Sequence, residues 1–137
     1  MMGFVSAVDI ASFTVPSNFE DIGSGIYVEY GKGNNPDQCM AILNYTKTDA
    51  DDFYKNDTAY GYSTSDYKNN TTNFIDKQLN EQGTFEFIKV DGKTFIIESW
   101  FSIDDKQKDF ENTFQNLVEF NKLNNVTPVN ASEIVSK

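Results

Sequence analysis

Asp49, Asp51, Asp52 and Asp57 crowd one short stretch of the chain, and acids at such spacing are the raw material of a calcium loop. An EF-hand loop alternates its acids, bends at a Gly and closes on a Glu. Counted from Asp49, the third acid falls on Phe53, the Gly on Tyr54 and the closing Glu on Tyr60. The frame fails, and the cluster reads as the solvated start of a helix. The chain has no His and a single Cys, Cys39. Zinc binding, imidazole catalysis and the Ser-His-Asp and Cys-His arrangements are therefore excluded. Cys39 lies in the apolar run Cys39-Met40-Ala41-Ile42-Leu43 and reads as a small buried hydrophobe. Ser65-Asp66-Tyr67-Lys68 has the spacing of a Ser-Lys pair but sits in a polar excursion with no helix to present it. Gly23-Ser24-Gly25 and Gly31-Lys32-Gly33 lack the longer Gly spacing of phosphate-binding loops and read as turns. These residues imply no metal and no cofactor.

Aromatic recognition is the chemistry that survives. Tyr54, Tyr60, Tyr62 and Tyr67 fall in one polar segment with Gly61. Tyr on an adaptable loop stacks on sugars or anchors a protein partner. These four are the candidate ligand-binding residues. The competing reading is that they pin the excursion to the body of the domain.

Composition sets the outer bounds. At 137 residues the chain is expected to form one domain, long enough for a core without disulfides. Its 12 Phe and 7 Tyr argue for a folded chain. The net charge is −10, with no Arg, which argues against nucleic acid and anionic membrane surfaces as partners. No apolar stretch is long enough to insert in a membrane.

The opening MMGFVSAVDI holds Val5-Ser6-Ala7, which matches the small residues that precede a signal-peptidase cut, here before Val8. N-x-[ST] triplets begin at Asn44, Asn56, Asn69, Asn70, Asn125 and Asn130, where chance gives about two. Asn44 falls in an expected strand. Asn56, Asn69, Asn70, Asn125 and Asn130 fall in expected loops and are the candidate glycosylation sites. Together these features point to an extracellular or cell-surface protein.

The elements that must position these groups follow from pattern. Ala11 to Val15 reads as a strand ending at Pro16. Ile26 to Tyr30 alternates like a strand, and Cys39 to Tyr45 is its expected hairpin partner. Thr48-Asp49-Ala50-Asp51 resembles a capping box and predicts a short helix over 49–56. Thr71 to Gln82 reads as a helix, with Ile75 and Leu79 one turn apart and Gly83 as its stop. Asp91-Gly92 is a two-residue hairpin signal within Thr84 to Phe101, setting Ile88 against Phe95 and Phe87 against Ile96. Apolar residues on both faces of that hairpin predict a sheet covered on both sides. Asp104-Asp105 begins a last helix whose stripe is Phe110, Phe114, Leu117 and Val118.

Phe13-Thr14-Val15-Pro16-Ser17-Asn18-Phe19 resembles the F-x-[IV]-P-x-x-[WF] opening of the PsbP/Mog1-like superfamily, with Phe19 where Trp is more usual. That resemblance implies an antiparallel sheet with helices packed on it and an accessory or binding role. The Asn- and Lys-rich, Arg-free style resembles small secreted proteins of methane-producing archaea.

The sequence thus predicts an α+β domain: an antiparallel sheet of about five or six strands, a long C-terminal helix, and one or two shorter helices packed on it. Residues 1–8 read as a signal remnant or flexible start, 9–125 as the domain and 126–137 as a tail. The expected function is a non-enzymatic secreted or cell-surface binding domain for a protein or glycan of the envelope. The alternatives are a small carboxylate-dependent hydrolase acting on envelope polysaccharide and a purely structural surface protein.

Overall fold

The computed structural model describes residues 9–59, 65–66 and 68–135, with side chains described for all of these but 56–59, 65 and 66. One antiparallel sheet organises it. Its strands are β1 (Glu20–Gly23), β2 (Ile26–Tyr30), β3 (Pro36–Tyr45), β4 (Ser65–Asp66), β5 (Thr71–Asp76), β6 (Glu81–Val90), β7 (Lys93–Ser102) and β8 (Pro128–Val129). The order across the sheet is β1-β2-β3-β7-β6-β5-β4, and β8 also pairs with β6. Two helices, α1 (Lys47–Ala59) and α2 (Phe110–Asn124), complete the α+β architecture. No helix among the described residues is long and apolar enough to cross a membrane.

The β6–β7 hairpin is the centre, and its register is the expected one: Phe87 pairs with Ile96 and Ile88 with Phe95. Asp91 and Gly92 both take positive φ, 52° and 78°, the conformation that lets a two-residue turn follow the twist of the strands. Alternation then splits β6 between two cores. Phe85 and Phe87 point to one face with Ile96, Phe74, Ala50 and Ile134. Ile88 points to the other with Phe95, Ile97, Met40, Ile42, Leu117 and Phe120. α1 and the chain's last described turn cover the first face, and α2 covers the second.

The structure corrects several of the expected elements, some through local capping and some through pairing across the sheet. Residues 10–12 form a 3-10 turn capped by Asp9, not a strand, and Phe13 and Val15 pack beside the α2-face core. Thr71 to Asp76 is strand β5, not a helix. Its β-branched start and alternating burial win over the Ile75–Leu79 spacing, and Leu79 sits 66% exposed in the following turn. Gly83 lies inside β6, where a Cβ would meet Ser99 O at 2.1 Å. α2 begins at Phe110, because Asp109 closes the capping box with Asn112. Asp104 and Asp105 belong instead to the preceding turns, where the Asp105 carboxylate accepts from Gln107 N–H at 3.0 Å.

α1 starts earlier than expected. Thr46 Oγ1 accepts from Asp49 N–H at 3.2 Å, and Asp49 Oδ2 accepts from Thr46 Oγ1 at 2.7 Å. The box is therefore Thr46-x-x-Asp49. The segment after α2 is docked rather than loose. Val129 and Pro128 pair with Phe87 and Ile88, continuing along β6 where β5 leaves it at the Thr71–Glu86 pair. Ile134 is buried in the α1-face core.

Candidate functional site

Glu86 occupies the place on β6 where β5 gives way to β8. Alternation turns it to the α2 face, between Thr84 and Ile88, and it is fully buried. α2 answers the polar positions of this face one by one. Thr113 shares a hydrogen bond with Thr84 Oγ1 at 2.6 Å, and Thr84 Oγ1 also donates to Asn73 Oδ1 at 2.8 Å. Asn116 Nδ2 donates to Ser99 Oγ at 2.9 Å and to Gln38 Oε1. Asn121 Nδ2 donates to Glu86 Oε2 at 3.1 Å.

Only the last pair is left incomplete. Among the described residues, Glu86 Oε1 and Asn121 Oδ1 are the buried side-chain polar atoms with no hydrogen-bond partner. Leaving such atoms unpaired costs about 1–3 kcal/mol each, and more for a charge. Burial pushes the Glu86 carboxyl up to about 8, against the pull of the Asn121 hydrogen bond.

Both side chains line a cleft of about 390 Å³. Phe114, Leu117 and Val118 of α2 form one wall and Val126 and Pro128 the other. Lys122, Asn69 and Asn125 are exposed at its rim. Two buried, unpaired polar groups in an apolar-walled cleft can pair with a polar head carried on an apolar body. They hold no metal group: among the described residues no three His, Cys, Asp or Glu side chains gather for one.

Two other clefts differ in chemistry. One of about 430 Å³ collects Lys47, Lys89 and Lys93 with Glu133. The other, of about 220 Å³, holds Asp76, Glu81 and Glu98 against Trp100. There burial and then the Asp76 charge push the Glu81 carboxyl up, while Asp76 Oδ1 accepts from Leu79 N–H at 3.0 Å. Cys39 is half-buried, and burial, then Glu81, push its thiol up to about 11. It is held as the thiol, not the thiolate nucleophile.

Of the tyrosines singled out by sequence, Tyr54 is half-buried on α1 and meets Phe85 edge-on, ring centroids 6.3 Å apart. Tyr60, Tyr62 and Tyr67 lie outside the described residues. The sequon residues Asn44, Asn69, Asn70, Asn125 and Asn130 are exposed, Asn44 on strand β3. Asn69 and Asn70 form a turn, Asn125 caps α2 in left-handed backbone, and Asn130 caps the last 3-10 turn. Asn56 falls within α1 rather than in a loop.

Sequence reasoning missed Glu86, and a signal for it existed. A hairpin apolar on both faces leaves a Glu between Phe85 and Phe87 no route to solvent.

No family model, no curated protein and no solved structure matches the chain.

Proposed function

We propose that this protein is a non-enzymatic binding domain, secreted or displayed at the cell surface, that receives a small ligand in the Glu86–Asn121 cleft. The observation that carries the reading is the half-satisfied pair at its base. Every other buried polar side chain α2 sets against the sheet has found a partner; these two residues, with their buried and unpaired oxygens, line a cleft of ligand size, about 390 Å³. The net charge of −10 and the absence of Arg support a partner other than nucleic acid. The exposed sequon asparagines and the Val5-Ser6-Ala7 stub support export. The F-x-V-P-x-x-F likeness supports an accessory role, and its Phe13, Val15 and Phe19 serve the α2-face core.

The test is a small-molecule screen by amide NMR on the intact chain and on Val126→Trp, which fills the cleft. Binders are expected to shift Leu117, Asn121 and Val126 in the native chain and to lose that effect in the variant. A screen in which no compound moves those resonances sinks the reading.

A second reading has one observation in its favour. Asp76, Glu81 and Glu98 share a cleft with Trp100, and Glu81 is pushed up as a general acid would be. A carboxylate hydrolase there would release reducing ends from envelope polysaccharide, and Glu81→Gln would abolish the release. Equal release by the native chain and the variant, or none by either, rejects it.

A further inference from the structure

The base of the cleft specifies the chemistry of its occupant, granting the binding reading above. Both unpartnered atoms, Glu86 Oε1 and Asn121 Oδ1, are oxygens of acceptor groups. A ligand head that brings only acceptors leaves Asn121 Oδ1 unpaired, and meets Glu86 only while its carboxyl keeps a proton. A hydroxyl brings one hydrogen for two atoms. A head with several N–H donors meets both. Glu86 Oε2 already accepts from Asn121 Nδ2 at 3.1 Å, so a guanidinium gripping both carboxylate oxygens has to share Oε2 with that amide. A tetrahedral ammonium has no such requirement: one nitrogen carries donors enough for both Oε1 and Oδ1.

Charge selects in the same direction. A buried carboxyl has two ways out of its unpaired state: keep a proton, or meet a cation. Burial already holds the free protein's carboxyl high. The charged groups that face it are few. Lys122 on α2 stands exposed at the rim, and Lys68, ahead of β5, is drawn to Glu111 at 2.6 Å and over the Phe114 ring. β6 and β7 turn Thr84, Ile88, Ile97 and Ser99 to this face, β5 adds Thr71 and Asn73, and β8 adds Pro128. Nothing built into those strands compensates the carboxylate.

We propose that the cleft is a site for a primary ammonium on a compact apolar body, the nitrogen seated between Glu86 and Asn121 and the body against Phe114, Leu117 and Val126. The proton balance closes. A free amine entering beside the carboxylic acid takes its proton and leaves an ammonium–carboxylate pair. An ammonium entering instead displaces the carboxyl proton to solvent.

The test uses three probes of one shape on the full chain: 2-phenylethylammonium, 3-phenylpropanamide and 3-phenylpropanoate. Readouts are the Asn121 side-chain amide and the Glu86 carboxyl carbon by NMR, with affinities by calorimetry. The expected result is binding of the ammonium, at least tenfold weaker in the isosteric Glu86→Gln, and weaker or absent binding of the other two. The amide or the carboxylate binding as tightly as the ammonium overturns the cationic assignment and leaves the cleft as a binding site. An ammonium that binds Glu86→Gln as well as the native chain removes Glu86 as its anchor. If none of the three moves a cleft resonance, the ammonium proposal fails, and the broader screen decides the cleft separately.

Discussion

Glu86 is the residue whose ionisation the fold resists. Its carboxyl is pushed up to about 8 in the native protein, against an ordinary value near 4.5 in the unfolded chain. The native state therefore holds a proton that the unfolded state has already released between those two values. Native stability falls as pH rises through that window, by up to ~1.4 kcal/mol per pH unit, and levels off above the native value. Urea denaturation at pH 5 and pH 8 is expected to show the native chain losing a few kcal/mol over the interval. Glu86→Gln, which has no proton to lose, is expected to lose clearly less and to be the more stable of the two at pH 8. Equal slopes for both proteins would show that the carboxyl titrates normally. At Gly83 a Cβ would run into Ser99 O and the Trp100 backbone. Gly83→Ala is expected to destabilise by about 1–3 kcal/mol in the same assay, as an overpacked core does. Neither residue was read correctly from sequence. Glu86 was passed over and Gly83 was read as a helix stop, because what defines each is a neighbour across the sheet.

At the scale of elements, sequence told the truth where local chemistry decides and misled where tertiary pairing decides. The Asp91-Gly92 turn gave the β6–β7 register directly, because a two-residue turn fixes which residues face each other. The stripe on α2 was also legible, with Phe114 and Leu117 buried against the sheet. β5 was not. Ile75 and Leu79 have helical spacing, and only pairing with β6 turns the segment into a strand. The start of α2 was misplaced because Asp104 and Asp105 offer the same acidic signal as Asp109, and the closed box with Asn112 decides between them. Asp109→Ala is expected to lower stability by about 1 kcal/mol, as loss of an N-cap does. Asp104→Ala, on an exposed turn, is expected to change it by less than about half that amount. Urea midpoints of the two variants, compared with the native chain, check the assignment. The candidate cleft was illegible from sequence because it needs α2, β6 and the approach to β8 together, and no window of the chain contains all three.

At the scale of the whole molecule, the sheet is covered on both faces and its surface is strongly acidic, at net charge −10. The edge strand β1 is exposed along its length and carries Glu20 and Asp21, charges that discourage a second sheet from pairing there. Export is the whole-molecule proposal, and intact mass of the protein from its own cells tests it. The expected outcome is a chain beginning at Val8 in the envelope fraction with glycan mass added. An unmodified cytoplasmic chain that keeps its first residues rejects export and leaves the cleft proposal standing by itself.

The pairing of β8 with β6 has a consequence in time. A ribosome delivers the chain from its beginning, so β6 and β7 are ready to zip together once Ser102 has emerged. The slot beside Phe87 and Ile88 stays vacant until Pro128 and Val129 arrive. Throughout that interval the nascent chain carries an open backbone edge at the middle of its future sheet. The short β8 then acts as a latch that closes that edge.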